Sequence, residues 1–142
     1  MTSTDDAPSL LTPTGTAALV TQKRDGRPQI SNIGYAYDAA AALVRISLTD
    51  DRAKTRNLRR DPRASLFVTT ANWRSYLVVE GTVDLTPVAE SPDDATVEEL
   101  VELYRAIGGE HPDWAEYRAA MVADKRLVAR FHVERTYGWD GR

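Results

Sequence analysis

The chain has 142 residues, 18 Lys and Arg against 21 Asp and Glu, and a net charge of −3. That length suits a single domain over 1–142 with a real core, and 42% hydrophobic with 27% charged residues excludes a disordered acidic tail. The absence of cysteine excludes disulfides, thiolate zinc sites, iron–sulfur clusters and a catalytic thiol. An acidic balance argues against a general nucleic-acid partner.

Residues 1–9 are polar and read as a loose tail, with Asp5 and Asp6 where a secretory leader would carry basic residues before an apolar run. No stretch approaches the roughly 18 apolar residues of a membrane span, so the expectation is a cytoplasmic protein with no membrane partner. A first strand fits Thr16 to Lys23. Asp25-Gly26 signals a tight turn, and Gln29 to Tyr37 returns as a second strand. Leu43 to Leu48 is a third, with Val44, Ile46 and Leu48 on one face. A polar helix fits Asp51 to Arg60, capped by Asp50 or Asp51 and stopped by Asp61-Pro62.

Strands are then expected at Ala64 to Thr70 and Ser75 to Leu85, where Leu77, Val79, Val83 and Leu85 alternate with polar residues and Gly81 marks a bulge. Ser91-Pro92-Asp93-Asp94 opens a helix whose stripe is Val97, Leu100, Val101, Tyr104 and Ile107, closed by Gly108-Gly109. A further helix fits Pro112 to Asp124, with Trp114, Tyr117 and Met121 on one face. Leu127 to Tyr137 is the last strand, with Leu127, Ala129, Phe131 and Val133 inward. Tight hairpins and long alternating strands favour an antiparallel sheet or barrel over a βαβ arrangement.

Charge is concentrated in one place. Arg52, Lys54, Arg56, Arg59, Arg60 and Arg63 fall within twelve residues beside one acid, Asp61, leaving 12 basic and 20 acidic residues for the rest of the chain. A solvated helix face is the plain reading of a charge run. Here the helix has only Ala53 and Leu58 as apolar residues, and no acids at helical spacing pair with its bases. An anion at the site explains such crowding: a phosphate near a helix N-terminus gains from free N–H groups and from Arg52 and Lys54 beside them. Ser47 on the adjacent strand offers a hydroxyl.

Lys54-x-x-x-Leu58-x-x-Asp61-Pro62-x-Ala64-Ser65-Leu66 resembles the phosphate-binding segment of the pyridoxamine 5'-phosphate oxidase-like FMN-binding split barrels, and Glu80-Gly81-Thr82-Val83 resembles their next signature strand. Asp25-Gly26-Arg27-Pro28-Gln29-x-Ser31-Asn32 and the run from Arg52 to Ser65 are similar to the actinobacterial branch that uses the deazaflavin coenzyme F420. So are Pro92-Asp93-Asp94 and the region from Leu103 to His111.

The resemblance implies an α+β fold, a six-stranded antiparallel split β-barrel with flanking helices. It also implies a homodimer with two cofactor grooves at the subunit interface. By the same resemblance, Ser47, Arg52 and Lys54 hold the cofactor phosphate with Thr55 helping from the same turn, Arg56 is a further cofactor-binding cation, Gln29, Ser31 and Asn32 line the deazaflavin ring, and Trp73 or Tyr76 supplies an aromatic wall. The C-terminus, Val133 to Arg142, lacks the Arg/Trp/Pro-rich segment of vitamin-B6 oxidases, and Asp61 stands where those enzymes usually have Asn, so vitamin-B6 oxidation is not expected. The extra cations Arg56, Arg59 and Arg60 suit a coenzyme with more anionic groups than FMN.

The function implied is F420H2-dependent hydride transfer to a small unsaturated, quinone-like or tetrapyrrole-like acceptor. An FMN-dependent oxidase or reductase of the same fold and a non-enzymatic F420 carrier remain as alternatives. The cofactor carries the difficult chemistry in such systems, so no nucleophile is required and no catalytic side chain is singled out. His111 and His132 lack carboxylates at metal-site spacing, so no metal is expected.

Overall fold

Residues 10–140 are described in a computed structural model of the chain; the tail expected at 1–9 lies outside the described residues. The alternating segments become six strands: β1 (Thr14–Gln22), β2 (Pro28–Asp38), β3 (Leu43–Thr49), β4 (Arg63–Thr69), β5 (Tyr76–Leu85) and β6 (Arg126–Trp139). Three helices lie between them: α1 (Ala53–Arg60) after β3, then α2 (Ala95–Gly108) and α3 (Trp114–Ala123) between β5 and β6. All strand pairs are antiparallel and close in the order β1-β2-β3-β6-β5-β4. This is the six-stranded antiparallel barrel with flanking helices expected from the sequence.

Inward residues at every second position fill the barrel: Leu19, Tyr35, Val44, Ile46, Leu66, Leu77, Val79 and Phe131 are all essentially inaccessible. A smaller cluster of Ala89, Val97 and Val101, with Trp114, Tyr117 and Met121 against it, joins α2 to α3. Val128, assigned to neither face by alternation, is also fully buried, because β6 is the strand that both helices contact.

Gly81 does mark a bulge. Gly81 pairs with Val133 while Glu80 pairs with Arg135, so Glu134 is the extra residue. A Cβ at Gly81 would fall 2.1 Å from the His132 carbonyl oxygen, a contact that backbone cannot relieve. At the first hairpin, Gly26 has a φ of +87° and Asp25 accepts the Arg27 N–H at 3.0 Å, but the loop spans residues 23–27 and is not a two-residue turn.

The helix ends differ from the sequence expectation. No side chain caps α1, whose N-cap is Arg52. Asp51 instead accepts the Thr49 hydroxyl at 2.9 Å, and Asp50 is drawn to Arg59 at 2.6 Å. The cap of α2 is Asp94, which takes the N–H groups of Val97, Glu90 and Ser91, so Pro92 sits in the preceding turn. Asp113 caps α3 through Glu116 N–H, which leaves Pro112 outside the helix. The α2 stripe ends before Ile107, which is 51% exposed. Asp61 stops α1 in an extended conformation before Pro62, as expected. Among the described residues, no helix is long and apolar enough to cross a membrane.

Candidate cofactor site

Hydrogen bonds within the turn from β3 into α1 hold it in place. Thr55 is completely buried and donates its hydroxyl to the Thr49 carbonyl at 2.7 Å. The Thr55 hydroxyl thus helps to hold the turn itself, at a position that the resemblance assigns to the phosphate grip. With the turn fixed, Lys54 points to β2, where its ammonium donates to Ser31 Oγ at 3.2 Å. Burial first, then the neighbouring charges of Arg52 and Arg126, push the Lys54 pKa down. A half-buried ammonium between two guanidinium groups has every reason to accept an anion.

Arg126 was not foreseen. It opens β6, faces Thr49 in register and donates through Nη1 to Ser47 Oγ at 3.4 Å. Its Nε is buried with no hydrogen-bond partner. A buried guanidinium donor left unpaired costs free energy, and a bound oxyanion would satisfy it. Arg126 lies far outside the basic window, so only the pairing of β3 with β6 reveals it. Lys54 and Arg126 thus reach the hydroxyls of Ser31 and Ser47, with Arg52 near Lys54 at the N-cap of α1, whose first turn has no side-chain cap.

Beyond Ser31 on the same face of β2 stands Gln29, on the wall of a cleft of about 510 Å³ between the first hairpin and α1. Lys23, Arg24, Arg56, Arg59 and Arg60 also line it. Two cations of the basic window are neutralised, contrary to the sequence reading: Arg59 by Asp50, and Arg63 by both oxygens of Asp61 at 3.0 and 2.8 Å. The hydrogen bonds from Arg63 hold the Asp61 pKa down at about 2. Arg56 donates to the Asp51 carbonyl at 2.9 Å. Among the described residues, Lys23, Arg24, Arg56 and Arg60 take part in no salt bridge.

The other expected residues lie apart. Asn32 is on the opposite face of β2 from Gln29 and Ser31. It shares the outer face of the barrel with Ala18, Phe67, Val78 and Tyr137. Tyr76 and Trp73 belong there too, with ring centroids 5.8 and 6.2 Å from Phe67. Trp73 is held at a φ of +62°, 74% exposed, an unusual backbone for so bulky a residue. Within one chain, then, the cationic grip and the aromatic wall stand on different faces. A separate cleft of about 580 Å³ between α2 and β2 is lined by Arg45, Glu98, Glu99 and Glu102, all already in ion pairs.

Residues 4–140 match the family described as pyridoxamine 5'-phosphate oxidase. The chain belongs to that family. Among solved structures it is similar to one named as an F420 reductase, with 24% identity over 93% of this chain and 96% of that one and a TM-score of 0.69. A conserved hypothetical protein of Mycobacterium tuberculosis shares 21% identity over 100% and 87% of the two chains, TM-score 0.73. An FAD-binding protein of Mesorhizobium loti shares 18% over 96% and 92%, TM-score 0.64. At these identities the likeness establishes the family's barrel.

Proposed function

We propose that the chain is a coenzyme F420-binding oxidoreductase, using the reduced coenzyme to deliver hydride to a small unsaturated, quinone-like or tetrapyrrole-like acceptor. One observation carries this reading: two anion-seeking sites lie in succession. The first is Arg52, Lys54 and Arg126 with the Ser31 and Ser47 hydroxyls. The second is the cleft of Lys23, Arg24, Arg56 and Arg60. FMN carries one phosphate and asks for one such site. Coenzyme F420 carries a phosphodiester and a carboxylate tail and asks for both. The solved structure named as an F420 reductase supports the same choice.

The residues present fit the group, since the unpaired Arg126 Nε and the desolvated Lys54 both gain from an oxyanion. Lys54, Arg52 and Arg126 would hold the phosphate, with the two serines as neutral partners. When bound, the deazaflavin supplies a ring that transfers hydride, and the protein's task is to hold that ring against an acceptor. A second copy of the chain, docked on the outer face that carries Trp73, Tyr76 and Phe67, completes the site with an aromatic wall.

Titration of the purified protein with coenzyme F420 and with FMN tests the reading. F420 is expected to bind more tightly, and Lys54→Ala to weaken it by roughly tenfold to a hundredfold with the far-UV spectrum unchanged, as befits loss of a charge-assisted hydrogen bond. Tighter FMN binding would favour a flavin enzyme of the same fold, and unchanged affinity in Lys54→Ala would remove the site. Tight binding with no turnover over a broad acceptor panel would make the chain a carrier.

A further inference from the structure

Four side chains connect α1 to the first hairpin, and they can be wired in one direction only. Arg60 Nη2 donates to Asn57 Oδ1 at 3.1 Å and to the Gln22 carbonyl at 2.6 Å. A guanidinium has no acceptor, so the Asn57 oxygen must face Arg60 and the Asn57 amide nitrogen must face inward. There Asn57 Nδ2 donates to Thr21 Oγ1 at 3.1 Å. Thr21 is completely buried, so its hydroxyl cannot look to water for another partner, and Asn57 is only 7% exposed. The one Thr21 proton goes to Gln29 Oε1 at 3.1 Å, and a flipped Gln29 amide would leave that buried proton without this acceptor. Gln29 lies directly across the β1–β2 pair from Thr21.

We infer that this relay fixes the Gln29 amide with its NH2 group toward the cationic cleft, making Gln29 a specificity-determining donor for an oxyanion held there. The inference rests on the proposed coenzyme for its occupant, the carboxylate tail, but the wiring stands on this chain alone. Its consequence is chemical. Gln29 is the one uncharged polar side chain on the cleft wall besides Asn57, and an unconstrained amide could present either an acceptor or a donor. With Oε1 tied back, the side chains that face the cleft are donors. Such a wall suits carboxylate and phosphate oxygens and leaves an amine or hydroxyl ligand with nothing to donate to. Arg60 then has two tasks: its charge raises the local potential, and its lack of an acceptor sets the direction of the whole chain. Thr21 and Asn57 are positioning residues that act through Gln29.

Side-chain amide NMR of the free protein tests the wiring without any ligand. The Asn57 NH2 protons should exchange slowly, and the Gln29 NH2 protons at the rate of an exposed amide. Thr21→Val should release the Asn57 protection, and Thr21→Ser should keep it. Titration with coenzyme F420 and with FMN then tests the donor. Gln29→Glu, which turns the donor into an acceptor of the same shape, should weaken F420 by about tenfold or more. Thr21→Val should weaken it several-fold, with Thr21→Ser near wild type. A loss confined to F420 places the oxyanion in the tail, and an equal loss for FMN places it in the phosphate; either supports the donor. A protected Gln29 NH2, or full F420 affinity in Gln29→Glu, overturns it. Should the wild type bind neither coenzyme, the functional reading fails while the exchange rates still decide the relay.

Discussion

Lys54 shows why a single side chain can report on the whole site. Its ammonium is desolvated and flanked by Arg52 and Arg126, and all three influences favour the neutral amine, lowering the pKa from 10.5. Folding therefore incurs a cost at Lys54 while it is charged, and that cost fades as pH rises from the lowered value toward 10.5. An anion reverses the balance by favouring the charged form, so binding takes up protons in the alkaline range. The expected outcome is that F420 affinity falls as pH rises through the lowered pKa, before an ordinary lysine would titrate. Lys54→Arg should abolish that alkaline decline while keeping most of the affinity. Affinity measured against pH for both proteins checks this, and parallel profiles would refute it. The basic window made Lys54 and Arg52 legible in the sequence. Arg126 was not, since nothing local in Lys125-Arg126-Leu127 says that β6 pairs with β3.

At the scale of elements, the strands were legible and their junctions were not. Alternation identifies β3, β5 and β6 because one face of each must be apolar, a long-range demand written in a local pattern. Caps depend on which of several nearby carboxylates wins a donor. Asp50 and Asp51 look like caps for α1, but Arg59 and Thr49 claim them. The docking of α2 onto the barrel is likewise invisible in sequence. Glu99 accepts Arg45 Nε at 3.0 Å, Arg130 Nε at 3.0 Å and Arg130 Nη2 at 2.5 Å, joining α2 to β3 and β6. The hydrogen bonds from Arg130, then those from Arg45, hold its pKa below the usual 4.5.

Glu99→Ala is expected to destabilise the fold by about 1–2 kcal/mol, less than a buried pair would, because both arginines keep a third or more of their side chains in water. A depressed carboxylate contributes stability above its unfolded pKa and loses it as pH falls through the folded one. The difference between Glu99→Ala and wild type, read by urea unfolding, should therefore shrink in acid. A constant difference would mean that Glu99 acts by packing alone.

For the whole molecule, the outer barrel face remains to be accounted for. Ile30 is 61% exposed, Trp73 74%, Tyr137 42% and Trp139 38%. Ile30 and Tyr137, with Ala18, Val20, Phe67 and Val78, line a shallow cleft of about 370 Å³ on that face. Scattered apolar residues need no explanation, but a contiguous patch built from five strands does. The basic window and the resemblance were legible in the sequence, yet the patch forms only once β1, β2, β4, β5 and β6 curve around the core. The proposed occupant is a second copy, which would also answer the separation of the cationic grip from the aromatic wall, since its rings would approach a neighbour's grip where the chain's own stand on a different face.

Ile30 offers the cleanest test of that assembly. Its side chain points away from the core, so Ile30→Asp should leave the unfolding midpoint of a single chain nearly unchanged while placing a carboxylate in a dry contact. Sedimentation velocity is expected to find the wild type as a dimer and Ile30→Asp as a monomer with the same far-UV spectrum. If two copies build each site, F420 affinity should fall in the same variant although Lys54, Arg52 and Arg126 are untouched. A wild-type monomer would refute the assembly. Full F420 affinity in a monomeric variant would place the whole site within one chain.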